Sequence, residues 1–155
     1  MDASRRRRFG DLPQLALVGP VQPWGPVFAL VLAAVFAFGL WARLRGLSAE
    51  GFADDEMHKW LAAQRYLSGD FVGDDVEHPM LMKLLITGTL LVGRSAGWAP
   101  ETITRLPLAL AGALCVLAAA WLGRRLFGPM AGLISAGLLA ASPTFIGYNR
   151  VAKED

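Results

Sequence analysis

Long stretches without charge constrain the fold of this chain more than any other feature. Three stretches contain no Asp, Glu, Lys or Arg: residues 12–42, 106–123 and 126–149. A helix of about 20 apolar residues crosses the roughly 30 Å hydrocarbon layer of a bilayer. The sequence therefore predicts an all-α integral membrane protein with spans over residues 24–44, 106–123 and 131–148.

Composition agrees with a membrane environment. Hydrophobic residues make up 54% of the chain and charged residues 18%, whereas soluble domains carry about 25% charge. Residues 1–23 form a basic tail containing Arg5–Arg8, which predicts a cytoplasmic anchor under the positive-inside rule. A nucleic-acid patch and a secretory signal peptide are the alternatives for this tail. No nucleic-acid partner is expected.

Residues 45–105 are predicted to form an outer loop, and its first half is acidic. Eight acidic residues but only two basic ones lie between Ser48 and His78. Residues 55–67 predict a surface helix with Asp54 as its N-cap and an apolar stripe of Met57, Trp60, Leu61 and Leu67. A second interfacial helix is expected over residues 79–93, since Lys83 leaves its apolar run too short to span.

The topology depends on residues 79–93. If they do not cross, three spans place Arg124-Arg125 inside, and both the acidic loop and residues 150–155 outside. If they cross, Arg124-Arg125 moves outside. The positive-inside rule favours three crossings, with Arg43 and Arg45 snorkelling at the outer end of the first span. Small residues in the last two spans, such as Gly112 and Gly132, predict close helix packing.

Two acidic clusters are candidates for chemistry. Asp54-Asp55-Glu56 suits a helix N-terminus, where acids complement the dipole. Alternatively it supplies a general base, because partial desolvation at a membrane surface raises a carboxyl pKa. Glu77 and His78 are ligand types for a divalent cation, the one candidate cofactor. Alternatively, Glu77 and His78 are solvated residues that precede a helix beginning at a proline.

Cationic side chains at the outer ends of the spans are the remaining candidates. Arg105 and Arg150 suit interfacial anchoring, which is the commoner role. They also suit pairing with a phosphate, which arginine binds through a bidentate fork.

The ordered set of motifs resembles the N-terminal part of the protein O-mannosyltransferase family. That family belongs to the GT-C membrane glycosyltransferases and includes the bacterial enzymes that transfer aminoarabinose to lipid A. The resemblance rests on motifs in a fixed order over residues 24–155: Asp55-Glu56, His78-Pro79, Arg105-Leu106-Pro107, Arg124-Arg125-Leu126-Phe127-Gly128, and Arg150 before Asp155.

The resemblance implies an inverting transferase at the outer face of the plasma membrane. Its donor would be a polyprenyl-phosphate monosaccharide, with mannose as the family default, and its acceptor a protein or lipid hydroxyl. Asp55 matches the family's base and Glu56 a positioning neighbour. Residues matching substrate contacts are Glu77, His78, Lys83, Arg105, Arg150 and Asp155, with Glu77 and His78 also matching metal ligands.

Two departures from the family pattern stand out. Met80 replaces a second proline after His78-Pro79, and the family's chains are several times longer. A partial transferase domain, inactive alone, is therefore expected. The alternative functions are a non-enzymatic membrane module whose acidic loop binds cations or a partner protein, and a transporter half. Uncharged span centres count against transport.

Overall fold

The computed structural model describes residues 25–71 and 80–152, and this part of the chain is helical. The elements are α1 (Pro26–Leu44), α2 (Asp54–Leu67), α3 (Met80–Ser95), α4 (Pro100–Phe127), α5 (Pro129–Ala141) and α6 (Pro143–Asn149). Four of these helices begin at a proline, whose fixed φ suits the first helical position and whose missing N–H costs nothing there. The predicted all-α membrane fold is confirmed.

Among the described residues, two helices, α1 and α4, are long and apolar enough to cross a membrane. Helix α4 contains the predicted span 106–123, and α1 covers residues 26–44 of the predicted span 24–44. The third predicted span is not one straight helix. It divides into α5 and α6, which meet at an angle of 62°. Pro143 has no N–H to continue α5, and the Ser142 hydroxyl accepts from the Phe145 N–H to start α6.

Contacts at both ends show that α1 and α4 run antiparallel. The Arg124 guanidinium lies 5.1 Å from the Phe28 ring centroid, so the end of α4 meets the start of α1. Arg105, near the start of α4, bonds to the Leu47 carbonyl just beyond α1. We call the end where Arg124 meets Phe28 the arginine end of the bundle, and the end where Arg105 meets Leu47 the loop end.

Small residues hold the long helices together. A Cβ on Gly132 would lie 2.6 Å from the Ala120 carbonyl oxygen, so α4 and α5 approach more closely than a larger residue allows. The buried core between α1, α4 and α5 is formed by Leu32, Val116, Ala120, Ala136 and Ala140. The predicted close packing by small residues is confirmed.

Helix α2 buries a different face from the predicted stripe. Its buried residues are Glu56, Lys59, Ala62, Ala63 and Tyr66. Met57, Leu61 and Leu67 of the apolar stripe are instead exposed, as a surface facing lipid requires. The helix begins at Asp54 with Ala53 as its N-cap, so the predicted cap was wrong by one residue. The Glu56 carboxylate compensates by accepting from the Ala53 N–H at 3.0 Å.

Helix α3 packs between α2 and the start of α4. The Thr89 hydroxyl donates to the Ile103 carbonyl at 2.8 Å, and the Thr87 hydroxyl lies 3.4 Å from the Ala63 carbonyl. With 16 residues, α3 is about 24 Å long, short of the bilayer core. Its contacts keep it beside α2, which is attached to the loop end.

Candidate functional site

The centre of the candidate site is the carboxylate of Glu56, which is fully buried. Arg105 donates to it through Nε at 2.9 Å and Nη2 at 2.7 Å. The backbone N–H groups of Ala53 and Ala152 donate to it at 3.0 and 2.8 Å. One carboxylate therefore joins the start of α2, the start of α4 and the chain after α6.

Glu56 is held in its ionised form. Burial alone would raise its pKa, but the Arg105 hydrogen bonds, the two backbone N–H donors and the Arg105 charge together lower the pKa below its ordinary value. The expected rise in pKa is thus wrong for Glu56. Both of its oxygens are occupied by donors from the protein, so its geometry suits positioning rather than contact with a substrate.

Arg105 uses all of its hydrogen-bonding capacity inside the protein. A guanidinium has five N–H donors. Besides the two bonds to Glu56, Arg105 donates to backbone carbonyls of the loop after α1, those of Leu47 (2.6 Å), Glu50 (2.9 Å) and Gly51 (2.7 Å). The predicted phosphate contact by Arg105 is therefore not supported, because no donor is left for it. Arg105 fixes the acidic loop to α4.

Arg150 differs from Arg105 in that not all of its N–H groups are hydrogen-bonded to the described part of the chain. It ends α6, and its Nη2 donates to the Gly46 carbonyl at 3.0 Å. Its Nε is buried and meets no acceptor in the described part of the chain. Arg150 also lines a cavity of about 270 Å³ at the loop end, together with Gly46, Leu47, Glu50, Arg105, Gly147 and Val151.

Asp55 precedes Glu56 in the first turn of α2. It is partly exposed, whereas Asp54 is exposed and Glu56 is buried. Since Glu56 is held by four hydrogen bonds, the turn that carries Asp55 is held with it. Asp55 therefore offers a carboxylate on a rigid turn at the loop end.

The role of Arg43 was not predicted from the sequence. The predicted snorkelling is wrong, since Arg43 is fully buried. Its Nε donates to Asn149 Oδ1 at 3.1 Å and its Nη2 to the Leu139 carbonyl at 3.1 Å. In a continuous helix that carbonyl would accept from residue 143, which is a proline without an N–H. Arg43 replaces the missing donor and ties α1 to the bend before α6.

Of the remaining predicted site residues, the structure describes Lys83, which is buried on α3. Glu77, His78 and Asp155 lie outside the described residues, so the metal and substrate contacts predicted for them remain predictions. Within residues 25–71 and 80–152, no three His, Cys, Asp or Glu side chains form a group able to hold a metal ion.

Comparison with known proteins decides the family. The family model of dolichyl-phosphate-mannose-protein mannosyltransferases matches residues 77–155, just over half of the chain. The chain belongs to this family. It is accordingly a membrane glycosyltransferase of the mannosyltransferase type. Neither the curated proteins nor the solved structures gave a match.

The region that matches the mannosyltransferase model contains only part of the candidate site. Arg105, Arg150 and Ala152 lie within it. Asp55 and Glu56 precede it, but Glu56 is hydrogen-bonded to both Arg105 and Ala152. The structure therefore attaches the acidic loop to the region by which the mannosyltransferase family is identified.

Proposed function

We propose that the protein transfers a monosaccharide, mannose by its family, from a polyprenyl-phosphate donor to a hydroxyl of a protein or lipid. Asp55 acts as the general base, and the fold is that of a GT-C transferase. The observation that carries this proposal is the placement of Asp55, partly exposed on a turn that the buried Glu56–Arg105 pair fixes at the loop end.

The chemistry needs one base and a stabilised leaving group. The Asp55 carboxylate takes the proton of the acceptor hydroxyl as its oxygen attacks the anomeric carbon. A new glycosidic C–O bond forms while the anomeric carbon–phosphate oxygen bond breaks, and polyprenyl phosphate leaves with the electron pair. Attack opposite the leaving group inverts the anomeric configuration. Since phosphate leaves readily, stabilising its charge matters more than protonating it.

Arg150 is the residue best suited to stabilise the departing phosphate. Its Nε meets no acceptor among residues 25–71 and 80–152, and its side chain lines the cavity at the loop end. Arginine binds phosphate through charge-assisted hydrogen bonds. Arg105 acts indirectly, because its five donors hold Glu56 and the loop.

We further propose that the loop end faces the outside of the cell membrane. Arg124 and Arg125 lie at the opposite end of α4, and the chain enters α1 at that same end, after the basic tail. Clusters of Arg next to spans favour the cytoplasmic side. The acidic segment and Arg150 then share the outer face.

The test is a transfer assay on the complete gene product that carries this chain, with polyprenyl-phosphate mannose as donor. Asp55→Asn keeps the shape of the side chain but removes the base. We expect its kcat to fall by about 10²- to 10⁴-fold, the usual contribution of a general base.

Asp54→Asn is the matched control, since Asp54 is an exposed carboxylate in the same turn. It should retain near-normal transfer. Undiminished transfer by Asp55→Asn would remove Asp55 as the base. Cation binding without any transfer by the unaltered protein would favour the non-enzymatic module instead.

A further inference from the structure

Lys59 is a buried cation that the proposed chemistry does not use. Its side chain is 1% exposed, and its Nζ donates to the Ala152 carbonyl at 2.7 Å. Burying an ammonium group is unfavourable unless hydrogen bonds and charges compensate it. A lysine in this position therefore calls for an explanation beyond packing.

Ala152 is held by two side chains of one helical turn. Its N–H donates to Glu56 Oε1 at 2.8 Å, and its carbonyl accepts from Lys59, three residues further along α2. Residues at i and i+3 lie on the same face of a helix. Both backbone polar groups of Ala152 are thus bound by one face of α2, which fixes the position and the orientation of the backbone there.

The surroundings leave this segment little freedom. Ala152 is completely buried. It directly follows Arg150 and Val151, which line the cavity at the loop end. Any displacement of Ala152 from α2 would therefore move the cavity wall that carries Arg150.

We propose that Lys59 is a positioning residue which, together with Glu56, clamps the chain after α6 to α2 and so sets the distance between Arg150 and Asp55. This inference rests on the proposed function, because Asp55 and Arg150 act there as base and phosphate contact. Lys59 itself touches neither substrate. It acts through the backbone of Ala152.

Hydrogen exchange tests the clamp without any assay of activity. The variants are Lys59→Met, which keeps an unbranched apolar stem and removes the donor, and Lys59→Arg, which keeps a donor. Arg65→Met is the control, an exposed cation on the same helix. In the complete gene product in nanodiscs, the peptide containing Ala152 should exchange about tenfold faster or more in Lys59→Met, because a charge-assisted hydrogen bond is lost. Lys59→Arg and Arg65→Met should exchange nearly as the unaltered protein does.

Transfer kinetics then separate positioning from general stability. The kcat per folded molecule should fall by about tenfold or more in Lys59→Met and recover largely in Lys59→Arg. A purely structural role would lower the yield of folded protein and leave kcat per folded molecule unchanged, which would overturn the proposal. Unchanged exchange in Lys59→Met would also overturn it.

Two other outcomes of these experiments also bear on the proposal. Should Lys59→Met fail to fold, Lys59→Gln, whose neutral amide is too short to reach the same carbonyl, carries the same expectations. If the unaltered protein transfers no sugar, the proposed function fails and the positioning role fails with it. The exchange data still decide whether the clamp itself exists.

Discussion

The buried pair of Glu56 and Arg105 gives the sharpest prediction on stability. Glu56 is fully buried and Arg105 is 5% exposed. Arg105→Met would leave an ionised carboxylate without its cation and would strip a donor from three loop carbonyls. Removing one partner of a buried ion pair costs about 3–5 kcal/mol. We expect a loss of unfolding free energy in that range.

The size of the interaction follows from a double-mutant cycle with Glu56→Gln. Because the two side chains are in direct contact, the double variant should be more stable than the sum of the single losses predicts, by about 1–3 kcal/mol. Unfolding is followed in mixed micelles by tryptophan fluorescence. Arg94→Met, an exposed arginine at the end of α3, should change stability by no more than about 0.5 kcal/mol. Additive losses would refute the coupling on which the site is built.

Two further predictions concern packing and pH. Gly112→Ala places a Cβ against the Asn149 side-chain amide and should cost about 1–3 kcal/mol of unfolding free energy, while Gly137→Ala, with open space around it, should not destabilise. Because the folded-state pKa of Glu56 lies below its ordinary 4.5, its contribution to stability should be fully present above that pH. It should be lost as the pH falls through the folded-state pKa. Glu56→Gln should flatten this acid-side slope in a pH series of unfolding curves, and an unchanged slope would contradict the assignment.

Local sequence patterns were enough to predict most of the helices, but not the division of the third predicted span into α5 and α6. Apolar stretches of membrane length predicted α1 and α4, because a helix needs about 20 apolar residues to span a bilayer. The shorter apolar stretch, which Lys83 interrupts, predicted α3. Of the two acidic clusters, the first contains Glu56, at the centre of the candidate site, whereas the second lies outside the described residues. Pro143 was the visible signal for the bend between α5 and α6, since proline cannot continue a helix.

The partners of the buried charges could not be predicted in this way. Arg43 looks like a snorkelling residue because its acceptors, Leu139 and Asn149, lie about a hundred positions away in sequence. Glu56 and Lys59 look like solvated residues beside an apolar stripe. Glu56, Lys59 and Ala63 are spaced so that they lie together on a second face of α2, different from that of the apolar stripe. The small side chain of Ala63 was the sign in the sequence that this face packs against protein.

Arg105 joins the acidic loop to the start of α4, and we propose that both lie on the outer face of the membrane. Cysteine accessibility tests it directly in the complete gene product with Cys115 replaced by serine. Ser48→Cys and Ser95→Cys should both react with a membrane-impermeant maleimide added outside intact cells. Phe127→Cys, at the arginine end, should react only after permeabilisation. Labelling of Ser48→Cys and Ser95→Cys from opposite sides of the membrane would show that the acidic loop and the start of α4 do not share a face.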